Sequence, residues 1–375
     1  MNKYIFILSF LLLFVLNPIG VNALEYEEIS AKAAIVISAD TNEVVFEKNA
    51  YKKLPMASTT KIMTSILALE YGANNFMYSV TEEMVSVEGS SIGLLPGDKI
   101  SLKTLVKGML LESGNDAANS VAHIVGGSID DFVSLMNYKA KELGMNSTSF
   151  ETPSGLDGDN HYSSAFDMAL LGSYAIKNPE FRQICSSHNQ IVYYGNEPYR
   201  RVFSNNNKLL KLYDGAFGIK TGFTKKSGRC LVSAVQKDGK TLVAVTLNAP
   251  DDWNDHIKMY DYSFPLVKAY NLSCDVEDVD ANVVGGDKTS VSVKMNEVTS
   301  FTTSNQDFSY TSKIFINKFL YAPVYCGDIV GFVEFYDKNS KLISKAYLVA
   351  NESVNIVSKE QKNNKFFDKI IDFFR

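Results

Sequence analysis

The sequence of 375 residues predicts an α+β fold followed by a smaller all-β domain. Three observations carry that expectation. A strand pair near the front, a run of apolar-periodic helical segments, and a second strand pair come in that order, which suggests a sheet closed by both ends of the first domain. From about Asp275 the helical periodicity gives way to short alternating strands separated by turn residues. The length also exceeds what one hydrophobic core usually holds, so two domains are expected.

Taken in order, residues 1–23 read as a cleaved secretory signal. Lys3 supplies the positive start, Ile5 to Leu16 the apolar run, Pro18 and Gly20 the break, and Val21-Asn22-Ala23 a small-residue cleavage site. The run is too short to span a bilayer comfortably, and no cysteine follows it to carry a lipid. The main domain is expected over 24–272. Ala33 to Ser38 and Glu43 to Phe46 flank the polar turn Asp40-Thr41-Asn42 as a hairpin. Ser58 to Tyr71 is a helix stopped by Gly72, and Leu102 to Leu111 is another. Ser128 N-caps a helix in which Phe132, Leu135, Met136 and Leu143 share one face, ending near Gly144. Ser164 to Ile176 is a further helix, closed by Asn178-Pro179. Gly228 to Val235 and Thr241 to Leu247 then flank an Asp238-Gly239 turn, a pair suited to positive φ.

The all-β domain is expected over 275–358, from strands at Thr289 to Met295, Ser312 to Phe319, Asp328 to Tyr336 and Ile343 to Val349. The stretch 362–375 differs again. Phe366, Phe367, Ile370, Ile371, Phe373 and Phe374 fall on one helical face and charged residues take most of the other, the pattern of an amphipathic helix lying on a membrane surface.

The formal net charge of -5, with no long basic block, argues against a nucleic-acid partner. Cys185, Cys230, Cys274 and Cys326 lack CxxC spacing, which excludes a recognisable zinc site and a dense disulfide scaffold but leaves room for one bridge. His123, His161, His188 and His256 show no metal-ligand spacing.

The chemistry concentrates in three short strings. In Ser58-Thr59-Thr60-Lys61 the hydroxyl and the amine stand three residues apart, on one helix face. A serine at a helix N-terminus also has its own N–H pointing outward beside the positive end of the dipole, where it can stabilise an oxyanion. A lysine entering an apolar helix is desolvated, which favours the neutral amine a general base needs. Ser-x-x-Lys alone is weak, since ordinary composition yields about one or two in such a chain. Two further strings in a fixed order strengthen it: Ser113-Gly114-Asn115 between two apolar helical segments, and Lys220-Thr221-Gly222 on an extended segment before the Asp-Gly hairpin.

These motifs, with GSSIGLLPGDKISLKTLVKGMLLESGNDAANSVAHIVGG, LGMNSTSFETPSGLDGDNHYSSAFDMALL and KTGFTKKSGRCLVSA, resemble the low-molecular-mass D-alanyl-D-alanine carboxypeptidases. These are penicillin-binding serine peptidases of bacterial cell-wall synthesis, and the likeness covers roughly Glu25 to Tyr270. The resemblance implies a penicillin-binding-protein/β-lactamase-like domain, an antiparallel sheet with helices and a helical subdomain. It implies that Ser58 attacks the carbonyl between the last two D-alanines of a peptidoglycan stem peptide and that Lys61 takes its proton. Ser113, held between Lys61 and Lys220, would relay a proton to the leaving D-alanine. Asn115 would bond the substrate backbone and orient Lys61. Lys220 and Thr221 would receive the free terminal carboxylate, Gly222 would allow close approach of substrate, and the Phe223 N–H would be the second oxyanion donor. No metal or organic cofactor is needed, and β-lactam antibiotics should acylate Ser58.

One departure stands out. Where family members carry an arginine near the substrate carboxylate, this chain has Asp251, Asp252 and Trp253. Arg229 lies on the adjoining strand with its direction unreadable, and Trp253 is expected to be packing. Three rivals follow: a class A β-lactamase using Glu142 and Asn146, a D,D-endopeptidase that needs room for a second stem peptide, and a non-catalytic wall-binding scaffold. The β-domain carries no visible chemistry and is expected to be a stalk lifting the active site from the membrane toward the wall, with a partner-binding surface as the alternative.

Overall fold

In the computed structural model, which describes residues 26–72 and 75–357, the strand β1 (Ala33–Ser38) is buried at every position. Its alternate residues go to different cores: Ala33, Ile35 and Ile37 to one apolar cluster, Ala34 and Val36 to another. That explains why the sequence reads AAIVIS without polar alternation, since both faces of the sheet are covered. The sheet has the order β2-β1-β5-β4-β3, formed by β2 (Val44–Lys48), β3 (Ala216–Thr224), β4 (Gly228–Lys237) and β5 (Lys240–Leu247), all antiparallel. The two ends of the domain do meet in it, through β1 paired with β5. Asp238 and Gly239 both have positive φ, and Lys237 pairs with Lys240 across them, as the two-residue turn demands.

One core is built from α1 (Lys61–Gly72), α2 (Leu102–Lys107), α3 (Asn115–Gly126), α4 (Ile129–Glu142) and α5 (Ala165–Ala175), through residues such as Ile62, Ile66, Leu105, Val121, Phe132 and Leu171. The other core lies under α6 (Asp252–Ser263), which contributes Met259 and Tyr260. Ser128 and Ser164 cap α4 and α5, each accepting a backbone N–H at 3.1 Å. A hairpin of Asn189–Tyr194 and Tyr199–Ser204, unforeseen in the sequence, stands beside the helical part.

Two local departures from the expected helices shape the site. The chain enters α1 through a 3-10 turn at Ala57–Thr60, so Ser58 sits in a tight turn and the α-helix begins only at Lys61. Ala57 takes φ 49 there, and Thr59 Oγ1 donates to the Met56 carbonyl at 2.6 Å. The second expected helix ends early: after Lys107 the chain widens into a π-turn over Gly108–Glu112, and Ser113 lands in the left-handed region at φ 65. Such wide turns often mark functional sites.

The chain divides into two units between Val267 and Lys268. The boundary falls earlier than the expected 272, because Lys268–Leu272 pairs with Thr299–Thr303 of the second unit. That unit also holds a six-stranded sheet in the order Tyr310–Ile316, Ile329–Asp337, Leu342–Ala350, Ser290–Met295, Asp280–Val284, Leu320–Tyr321. Its own core includes Val291, Val293, Val330, Val333, Phe335 and Leu348. The expected signal at 1–23 and amphipathic helix at 362–375 lie outside the described residues. Among the described residues no helix is long and apolar enough to cross a membrane.

Candidate active site

Lys61 is fully buried, and its amine makes three bonds: to Ser58 Oγ at 3.0 Å, to Asn115 Oδ1 at 2.7 Å and to the Ser154 carbonyl at 2.5 Å. Burial pushes its pKa well below the ordinary lysine value, the nearby Lys220 amine pushes the same way, and Asp116 opposes them. A neutral amine has two N–H donors and one lone pair. Two of its three neighbours, an amide oxygen and a backbone carbonyl, can only accept. The lone pair is therefore left facing Ser58 Oγ, the geometry of a base poised on a nucleophile.

The surrounding residues hold that arrangement. Asn115, in the first turn of α3, is oriented by donating its Nδ2 to the Glu88 carbonyl at 2.6 Å. The loop supplying Glu88 is tied down by Asp116, whose carboxylate accepts the Ile92 and Leu94 N–H groups and the Ser91 hydroxyl. The segment 151–161 supplies the Ser154 carbonyl and gives the Pro153 carbonyl to Thr64 Oγ1 at 2.6 Å. His161 pins its far end. Nδ1 accepts the Glu151 N–H at 3.0 Å, so the neutral ring carries its proton on Nε2, 2.9 Å from Thr60 Oγ1. Burial lowers the His161 pKa to about 4, which keeps the ring neutral. Sequence reasoning missed Glu88 and Ser154 because both act through backbone oxygens.

A cleft of about 330 Å³ opens beside Ser58, lined among others by Ser113, Thr221, Phe223, Arg229 and Trp253. β3 forms its wall as the edge strand of the sheet. Thr221 and Phe223 face the cleft, the latter 66% exposed. Gly222 also meets a constraint from within the protein. A Cβ there would stand 3.1 Å from the Met56 oxygen and from the Ser58 and Thr59 nitrogens, so the glycine lets β3 approach the protein's own nucleophile turn.

Three residues sit otherwise than expected. Lys220 is 1% exposed, is absent from the cleft lining, and donates to the Thr221 carbonyl at 2.8 Å. Burial lowers its pKa to about 7. It lies within electrostatic reach of Lys61 without presenting its amine to the cleft. Ser113, in the left-handed turn, reaches the cleft wall, but among the described residues its hydroxyl makes no hydrogen bond to either amine. Trp253 is likewise not simple packing. It packs in part on the core under α6 and in part lines the cleft. Glu142, which with Asn146 suggested a β-lactamase, bonds Lys139 at the end of α4, and neither residue lines the cleft. All four cysteines are unbridged.

Known proteins of one family are similar to this chain. Residues 20–251 match the family Peptidase S11, D-alanyl-D-alanine carboxypeptidase, and residues 274–356 match the C-terminal domain of penicillin-binding protein 5. The D-alanyl-D-alanine carboxypeptidase DacF of Bacillus subtilis is 36% identical over 250 residues, covering 64% of this chain and 64% of that protein. DacC of Escherichia coli, with the same description, is 32% identical over 374 residues, covering 93% of this chain and 88% of its own. The crystal structure of the D-alanyl-D-alanine carboxypeptidase DacD from Francisella tularensis superposes with a TM-score of 0.60 at 28% identity, over 90% of this chain and 96% of that one. A serine peptidase with a buried lysine bonded to the serine hydroxyl and a separate β-domain is the class these features define. The chain belongs to the D-alanyl-D-alanine carboxypeptidase family of low-molecular-mass penicillin-binding proteins.

Proposed function

We propose that the protein removes the terminal D-alanine from peptidoglycan stem pentapeptides through an acyl-enzyme on Ser58. The observation that carries this is the buried Lys61 amine, whose two carbonyl-type neighbours leave its lone pair for the Ser58 hydroxyl. Lys61 takes the Ser58 proton as Oγ bonds to the penultimate D-alanine carbonyl carbon. The Ser58 N–H, which as a first-turn group has no intrahelical acceptor, stabilises the oxyanion, with the Phe223 N–H as second donor. The C–N bond then breaks. The departing amine takes the proton that Lys61 collected from Ser58, with the Ser113 hydroxyl on the cleft wall turning to relay it. Water then releases the acyl group, giving its own proton to Lys61 and returning the Ser58 hydroxyl. A β-lactam carbonyl would enter the same path and stay on Ser58. Lys220 acts from behind the wall: to the extent that it is protonated, which falls off above about pH 7, its charge adds to burial in lowering the Lys61 pKa.

The test is D-alanine release from a pentapeptide ending in D-Ala-D-Ala, with the intact protein mass taken after penicillin. Release together with an adduct on Ser58 is expected. An adduct without release would point to a D,D-endopeptidase or a different stem peptide, and neither signal from folded protein would leave a wall-binding scaffold.

We also infer export and attachment to the outer face of the cytoplasmic membrane, supported by the sequence patterns of residues 1–23 and 362–375. Truncation after Gln361 is expected to move the protein from the membrane fraction to the soluble one. A truncated protein that stays with the membrane would remove the anchor from the account.

A further inference from the structure

The cleft contains a cation that the family motifs do not name. Arg229 projects from β4 into the lining of the same cleft as Ser58. Its Nε and Nη2 both donate to Asp252 Oδ1, at 2.9 and 2.7 Å, and its guanidinium carbon stands 5.5 Å from the centre of the Trp253 ring. Both residues line the cleft, but the Arg229 side chain is 42% exposed and that of Asp252 only 3%, so the guanidinium is the partner more open to solvent. A guanidinium has five N–H donors. Two are spent on Asp252, and among the described residues no partner takes the other three. They include one N–H on each terminal nitrogen, the edge that matches a carboxylate bidentately. Lys208 lines the same cleft, giving two cations against the one carboxylate of Asp252.

We infer that Arg229, braced by Asp252 and Trp253, is the residue that reads the free terminal carboxylate of the substrate, in the place first expected of Lys220. This rests on the carboxypeptidase reading above. Lys220 cannot do it as it stands, with its amine buried and turned onto the Thr221 carbonyl. Thr221 lines the cleft with Arg229 and supplies a hydroxyl to the same anion. The segment that lacks an arginine on α6 thus supplies the brace instead. Asp252 fixes the guanidinium from below and Trp253 lies against its face, so one strand and one helix together hold a permanent charge at a fixed distance from Ser58. Exopeptidase specificity follows, because a peptide that continues past the second D-alanine has no carboxylate to offer there.

The experiment compares a pentapeptide ending in D-Ala-D-Ala as the free acid with its C-terminal amide, using the full chain. Arg229→Gln is expected to lower kcat/KM on the acid by roughly 100-fold while the slow turnover of the amide changes little, so the acid-over-amide preference collapses. The double variant R229Q/D252N avoids leaving a buried unpaired carboxylate and is expected to show the same collapse. Trp253 is the single tryptophan of the chain, so its emission reports binding without turnover. In Ser58→Ala protein, free D-Ala-D-Ala is expected to shift that emission, and R229Q/D252N is expected to abolish the shift. Retention of the acid preference and of the emission shift by the double variant would overturn the assignment while normal wild-type turnover left the carboxypeptidase reading standing. Wild-type protein that shows an Arg229-dependent shift but releases no D-alanine would support the carboxylate site and overturn the hydrolytic reading instead.

Discussion

Lys61→Ala is expected to cut D-alanine release by roughly 10³- to 10⁴-fold, the upper end of what a positioned general base supplies. The fold should survive, because what disappears is a buried amine that costs desolvation and not a share of the apolar core. Lys61→Arg makes the sharper test. A guanidinium keeps three or more donors for Asn115 Oδ1 and the Ser154 carbonyl but cannot lose its proton, so it should be as inactive as alanine. Arginine at full activity would mean that position 61 works as a fixed charge and not as a base. The pH dependence carries the same sign. Activity needs the neutral amine, so it falls on the acid side as pH drops through the depressed Lys61 pKa. Stability follows a related course. Burial lowers the pKa of both amines in the fold, that of Lys61 strongly and that of Lys220 to about 7, whereas both take protons up to about 10.5 in the unfolded chain. Over the window from about 7 to 10.5 the unfolded chain binds more protons, so stability rises with pH. Thermal melts of Lys61→Ala should show a shallower rise across that window.

How much of this was legible beforehand depends on where the chemistry is written. Ser58 and Lys61 lie three residues apart in the chain, and their pairing at 3.0 Å needs only one helical turn. The Asp238-Gly239 hairpin was equally local, since its positive φ values demand those residue types. The alternation of the β-domain strands also survives in the buried positions of Ser290–Met295 and Ile329–Asp337. What failed to show was whatever depends on distant backbone. The Ser154 carbonyl has no side-chain signature, and its arrival at Lys61 depends on a loop 93 residues away. The direction of Arg229 could not be read because β4 is buried on both faces along most of its length, so alternation does not tell cleft from core. Trp253 looked like packing because a half-buried indole at a helix start has the same sequence pattern whether a core or a cleft lies beyond it. Gly222 was legible as a close approach, but its protein neighbour was not: the strand packs against the Ser58 turn, which is distant in the chain and brought there only by the fold.

The loop that delivers the Ser154 carbonyl gives the second large expectation, at Gly155. This glycine has φ +87, and a Cβ on it would stand 2.1 Å from the Ala57 oxygen and 2.5 Å from the Ala57 carbonyl carbon. The obstacle is backbone, and Ala57 is itself held at φ 49 in the tight turn before Ser58, so neither side can give way cheaply. Gly155→Ala must therefore push the 151–161 segment off the nucleophile turn. The Ser154 and Pro153 carbonyls would leave Lys61 and Thr64 together. Strain and lost bonds should lower stability by about 3 kcal/mol, and displacing the base's anchor by even about 1 Å should slow Ser58 acylation by roughly 100-fold. Gly144 provides the control. It also has positive φ, at +76, but a Cβ there would meet nothing within 4 Å, and it is not part of the cleft. Gly144→Ala should cost about 1 kcal/mol of left-handed strain and leave acylation by penicillin unchanged. If the two variants lose stability equally and both acylate at the wild-type rate, the loop is not what holds Lys61 on Ser58. A large, selective loss at Gly155 would show that the lysine's proton state is set by the backbone packed against it.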